Sequence, residues 1–302
     1  MKNYFIALVL LVSIPFIAFS QNEGHNPSED VVDTTLKATL ISHQFSFTEG
    51  ASVDKHGNVF FTDQPNDKIW EYDVDGKLSV FLDKAGRSNG TYFDQKGNLL
   101  ACADEKDELW LISPDKKITK LLTNYQGHRL NGPNDVWIDN KGGIYFTDPY
   151  YQRPYWDRTV SDMKGQYVFY LPKGKSEPVL VADDLQQPNG IVGTPDGKYL
   201  YVADIKANKT YKYTIGKNGL LSDKQLVIKQ GSDGMTLDEK GNIYLTGNGV
   251  TVYNPEGKKI VHIAIPEKWT ANLCFAGKNK DELFITASEG IYTIKMKVHG
   301  VE

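Results

Sequence analysis

Apolar residues recur along this chain in short runs with a two-residue period, broken every few positions by Asp, Asn and Gly. No stretch of useful length carries the 3.6-residue period of an amphipathic helix. Lys68 to Val74 and Lys77 to Leu82, on either side of Asp75-Gly76, are typical: two apolar-alternating segments joined by a turn that favours positive φ. The pattern predicts an all-β protein. Aligning the turn glycines exposes a repeat. Segments starting at Glu49 (EGASVDKHGNVFFTD), Asn89 (NGTYFDQKGNLLACAD), Asn134 (NDVWIDNKGGIYFTD), Asn189 (NGIVGTPDGKYLYVAD) and Asp233 (DGMTLDEKGNIYLTG) each place a glycine eight residues on, at Gly57, Gly97, Gly142, Gly197 and Gly241. A sixth copy begins at Asn272 (NLCFAGKNKDELFITA) without its turn glycine.

The copies start 39 to 55 residues apart, the length of a four-stranded blade, so the sequence predicts a six-bladed β-propeller. The sixth copy runs out of chain after a third strand, Ile291 to Val298. An alternating segment before the first copy, Leu36 to Ser42, is the predicted fourth strand that closes the ring and removes exposed sheet edges. An open β-sandwich pair has no use for a six-fold repeat.

In a propeller the first strand of each blade is innermost, so the six starting positions form a ring about the axis. Glu49, Asn89, Asn134, Asn189, Asp233 and Asn272 are all oxygen donors. Each alone is an ordinary turn residue. Together they are a ring of hard ligands carrying two negative charges, costly to bury without a cation and suited to Ca²⁺. The acids ending the second strands, Asp63, Asp104, Asp148 and Asp204, are expected to hold amides around that ring. Asp148 is singled out among them as facing the pocket, because it opens an aromatic insertion from Pro149 to Gln166.

The segments HRLNGPNDVWIDNKGGIYFTDPYY (His128 to Tyr151), TEGASVD (Thr48 to Asp54), QPNGIVGTPDGKYLYVAD (Gln187 to Asp204) and SDGMTLDEKGNIYLT (Ser232 to Thr246) resemble the senescence marker protein/gluconolactonase/luciferin-regenerating enzyme superfamily. The RxNxPND and FTDP motifs are most similar to its gluconolactonase branch. The resemblance spans Thr48 to Thr246 and weakens through the sixth copy. It implies a catalytic calcium held by Glu49, Asn134, Asn189 and Asp233, with Asn89 and Asn272 as neighbours. Ala51 stands where the family usually has proline, a change in turn stiffness rather than in ligand chemistry.

A single cation with open positions polarises a carbonyl and acidifies water, which suits opening of a lactone to its hydroxy acid. Asp233 is the candidate general base, with Asp148 or His128 as other proton acceptors. His128, Arg129 and Asn131, just before Asn134, are candidate substrate contacts along with Asn89, Asp148 and Tyr150. Tyr150, Tyr151, Tyr155 and Trp156 offer faces on which a sugar ring can stack. Two other readings share the scaffold: hydrolysis of phosphotriesters or non-sugar lactones at the same metal, and a non-catalytic propeller that binds carbohydrate or protein. Gly86 to Gly90 matches G-x-S-x-G by chance, since a nucleophile elbow needs a strand, a turn and a helix. The six histidines have no zinc-site spacing, and no glycine-rich phosphate loop accompanies a βα unit.

The first twenty residues read as a secretory signal: Lys2, an apolar run from Tyr4 to Phe19, and Ala18-Phe19-Ser20 as a small-x-small cleavage site. Cleavage would leave 33 basic and 38 acidic groups, net −5, too mildly acidic to suggest nucleic acid or anionic membrane as a partner. The expectation is a periplasmic or secreted monomer acting on a small-molecule lactone, with no membrane contact after cleavage. Residues 21 to 34, polar and without periodicity, read as a flexible leader, leaving 35 to 302 as the propeller. Export permits a disulfide, but Cys102 and Cys274 sit within strand patterns and read as two buried thiols.

Overall fold

The computed structural model describes Met1 and residues 27–301; the signal segment, apart from Met1, and residues 21–26 of the leader lie outside the described residues. The protein is a six-bladed β-propeller of six four-stranded antiparallel sheets. Blades one to five each consist of four consecutive strands, the first from Thr48–Val53 out to Leu78–Asp83. Blade six takes three strands, Thr270–Ala276, Glu282–Ala287 and Gly290–Lys295, from the end of the chain. Its outer strand is Thr39–Ser42, which pairs antiparallel with Gly290–Lys295.

The turn chemistry is what the repeat encodes. Asp54 closes an Asx turn, its Oδ1 accepting from the amides of His56 (2.8 Å) and Asn58 (2.9 Å), and Gly57 takes φ 91° at its tip. Asp94, Asp139 and Asp238 repeat the arrangement in blades two, three and five. Inner strands are buried over most or all of their length, wholly so at Thr48–Val53 and Thr270–Ala276, whereas Ile118–Leu122 on the rim of blade two is largely exposed. Aliphatic and aromatic layers fill the spaces between neighbouring blades. Val59 and Phe61 of blade one meet Cys274, Phe284 and Ile291 of blade six across the closing seam. Both cysteines are buried free thiols.

The latter part of the stretch expected to be a flexible leader is packed. Pro27–Asp30 forms a 3₁₀ turn, Val31 and Val32 are 2% exposed in the layer between blades five and six, and Val32 bridges to Met296. Two adjacent valines in a polar stretch carry no periodicity, so the burial leaves no signature in the local pattern. No helix among the described residues is long and apolar enough to cross a membrane.

Candidate active site

Five of the six ring positions converge on one cavity. Glu49, Asn89, Asn134, Asn189 and Asp233 line a pit of about 200 Å³ at the axis, together with Phe47, Gln64, Tyr151, Arg153, Ile205 and Trp269. All five anchors are less than a tenth exposed. The inner strands aim them there through local irregularity: pairing slips between Glu49 and Ser52, Ser88 and Thr91, and Pro188 and Ile191. A bulge of this kind turns a side chain out of its alternation. The glycines that follow the anchors let the strands crowd the axis. A Cβ on Gly50 would lie 2.0 Å from the Asn89 carbonyl oxygen, and one on Gly90 would lie 2.5 Å from that of Asn134. The Gly90 amide donates to that same Asn134 oxygen at 2.7 Å, tying blade two to blade three. Asn272, the sixth position, does not line the pit; its Oδ1 accepts the Leu273 amide at 2.8 Å.

The pit is electrostatically unbalanced. Burial, with Asp233 nearby, pushes the Glu49 carboxyl well above the ordinary carboxylate range, and burial pushes Asp233 up to about 6. The indole N–H of Trp269 donates to Asp233 Oδ2 at 2.6 Å, and the Asn189 amide donates to the Tyr151 hydroxyl at 2.9 Å. Asn89 Oδ1 and Asn189 Oδ1 are buried without a hydrogen-bond partner. Two carboxylates and two orphaned amide oxygens facing one small cavity fit a hard divalent cation, whose charge would offset the acids while the amides complete an oxygen shell. No group of three or more His, Cys, Asp or Glu able to hold a metal occurs among the described residues. A cation here therefore depends on the asparagine oxygens.

The other predicted contacts lie outside the pit. His128 is exposed, in a turn bridged to Tyr125. Arg129 pairs with Asp107 and Asp157, both at 2.5 Å, so it fastens the 149–166 insertion to blade two instead of reaching substrate. Asn131 is fully buried, its amide donating to the carbonyls of Asp148 and Gly165 at 2.9 Å. Tyr150 is half-buried within the insertion, 5.7 Å from the Trp156 ring. Asp148 is not the pocket acid: its two oxygens accept the amides of Asn131 (3.0 Å) and Gly132 (2.9 Å). Burial outweighs those two bonds and pushes its carboxyl up to about 7. Asp63 and Asp204 likewise cap loop amides.

Asp104 breaks that pattern. Its Oδ2 accepts from Gln64 (3.0 Å), from Arg153 (2.8 Å) and from the Tyr155 hydroxyl, while the Trp156 indole donates to its carbonyl at 2.7 Å. Through Asp104 the insertion is drawn over the axis, and the Arg153 guanidinium joins the wall of the pit, 5.5 Å from the Tyr151 ring. Arg153, Gln64 and Trp269 are polar residues of the pit wall that the repeat frame misses. Trp269 had one available signal, its place three residues before an anchor; Arg153 lay in an insertion notable for aromatics, and nothing local marked Gln64.

A closed propeller with a buried acid-and-amide pit on its axis defines the class of this protein. It belongs to the family described as the SMP-30/Gluconolactonase/LRE-like region, which matches residues 47–289. The chain is 27% identical to the gluconolactonase of Zymomonas mobilis, over 89% of this chain and 84% of that protein. A gluconolactonase structure from Xanthomonas campestris superposes with a TM-score of 0.79 at 25% identity, covering 86% of this chain and 89% of the other. Diisopropyl-fluorophosphatase of Loligo vulgaris is 25% identical over 83% of this chain and 88% of its own length.

Proposed function

We propose that this protein is an exported, monomeric, calcium-dependent lactonase that opens sugar lactones to hydroxy acids. The observation that carries the reading is the convergence of Glu49, Asp233 and the partnerless oxygens of Asn89 and Asn189 on one pit. The gluconolactonase names of relatives that align along most of the chain support the substrate class. Glu49, Asn134, Asn189 and Asp233 would hold the cation, which supplies Lewis acidity toward a carbonyl oxygen and toward water.

The chain's own groups perform the rest. Asp233, fixed by the Trp269 indole, takes the proton of the attacking water. Water adds to the lactone carbonyl carbon, the ring C–O bond breaks, and the ring oxygen leaves with a proton as the free hydroxyl. The Tyr151 hydroxyl accepts from the Asn189 amide and so is left to donate to a substrate oxygen. Arg153 is positioned to pair with the nascent carboxylate. Phe47, Ile205 and the Trp269 ring form an apolar wall that limits water.

Purified protein given a panel of aldonolactones should release acid, and a chelator should abolish that release. Asp233→Asn should lower kcat by a factor of about 10² to 10⁴. Chelator-insensitive turnover would refute the metal. Turnover of an organophosphate ester alone would favour the second hydrolase reading, for which the fluorophosphatase relative is the supporting observation. No turnover of any ester would leave a binding propeller.

A further inference from the structure

The axial pit is small for a complete substrate site. Its volume of about 200 Å³ falls below the roughly 300–1,000 Å³ of ordinary ligand clefts. It has a neighbour. A trough of about 470 Å³ shares Ile205 and Trp269 with the pit. From that common wall it passes Ser232 and Thr246 and reaches Thr251, Lys259 and His262 on the two outermost strands of blade five. With strands about 4.8 Å apart, a path from the inner to the outer strand of one blade is roughly 14 Å long. A single sugar lactone does not fill both.

The chemistry of the trough is one-sided. No carboxylate lines it, and its charged and titratable groups are Lys259 and His262. Lys259 makes no ion pair among the described residues. Of the three side-chain amides that line it, Asn208, Gln230 and Asn248, the first two present donors because their oxygens are already engaged. Asn208 Oδ1 accepts the Gly231 amide at 2.9 Å, and Gln230 Oε1 accepts the Tyr253 hydroxyl at 2.7 Å. The His262 ring is held through Nδ1 by the Thr251 hydroxyl at 3.1 Å, leaving Nε2 for a ligand. Trp269, 36% exposed, stands at the junction, its indole N–H committed to Asp233 and part of its surface open to solvent. A donor-rich, cationic channel of this length recognises a ligand rich in acceptor oxygens and bearing negative charge.

We propose that the trough is a second substrate subsite and that the substrate is an extended, acidic sugar lactone, its ring in the pit and a distal uronic-acid unit over Lys259. The assignment rests on the lactonase reading for the pit, but the trough is tested separately by binding. Isothermal titration of the calcium-loaded protein should show the ring-opened acid of a uronic-acid-terminated disaccharide lactone binding at least tenfold more tightly than gluconate. It should also bind more tightly than a neutral disaccharide aldonate, and Lys259→Ala should erase most of the advantage. In turnover, kcat/KM for the acidic disaccharide lactone should exceed that for gluconolactone, and in Lys259→Ala the ratio should fall toward one through KM rather than kcat. Equal affinity for the three acids, or a preference that survives in both Lys259→Ala and Asn208→Ala, would overturn the proposal. Selective binding lost in Lys259→Ala without turnover of any lactone would keep the trough and refute the lactonase reading.

Discussion

Removing the cation should leave a pit whose acids cost stability as pH rises, and the share of one of them, Asp233, should be separable by substitution. In the cation-free pit Asp233 sits at about 6 against an ordinary 3.8, because burial penalises its charged form. Glu49 is displaced the same way, by burial first and by Asp233 second. The sign follows from linkage: a carboxyl that titrates higher in the native state keeps its proton there after the unfolded chain has lost it. Its contribution is complete below pH about 4 and is lost as pH rises through about 6. For Asp233 the change is ~3 kcal/mol at 1.36 kcal/mol per pH unit. At about 2.1 cal/mol/K of unfolding entropy per residue, that is roughly 5 °C in Tm for a protein of this size. Asp233→Asn is neutral at every pH and retains an oxygen for the Trp269 indole. In chelator, the variant should therefore gain on the wild type by ~3 kcal/mol between pH 4 and pH 8, read by urea or thermal unfolding. Calcium at pH 8 should reverse the order, stabilising the wild type far more than the variant. A wild-type-minus-variant difference that does not move with pH in chelator would refute the account of the pit as an uncompensated acid pair.

Gly50→Ala would force a Cβ to 2.0 Å from the Asn89 carbonyl oxygen at φ 54°, so it should cost about 3 kcal/mol or more, measurable as a lower urea midpoint. Asp107→Asn strips the charge facing Arg129 (2.5 Å) and buried Arg158 (3.0 Å), and should lower stability by about 3–5 kcal/mol by the same measurement. Proteolysis of that variant should begin within residues 149–166, which these arginines fasten down. Arg153→Met keeps the stem of the side chain but not its charge, and should raise KM for lactones about tenfold or more while calcium affinity, read by titration calorimetry, changes little.

The architecture was legible because four of the six blades write the same turn: an Asp that caps its own turn amides and a Gly with positive φ leave a period that survives divergence of the strands. The pit was legible for a related reason, since a residue at the start of an inner strand has nowhere to go but the axis. Asn272 is the exception that geometry explains, its side-chain oxygen turning back to the Leu273 amide. What surrounds the pit was not legible. Arg129 and Asp148 look like pocket residues from their neighbours in sequence, yet one is consumed by Asp107 and Asp157 and the other by two backbone amides. Asp104, alike in sequence to Asp63 and Asp204, acquires a different role because a distant insertion places Arg153 and Tyr155 against it. Loop residues take their function from long-range partners, and spacing within a repeat carries no information about them.

The sixth sheet joins Thr39–Ser42 to strands that come some 250 residues later. Until that late segment is available, the early one has no partner and blades one to five form an open arc with two raw flanks. The last step of assembly is therefore the most non-local one, and it governs both how slowly the circle is completed and where it first gives way. Clipping either extremity should spring the same joint, and cross-linking the early strand to its late neighbour should lock the whole wheel rather than a single spoke.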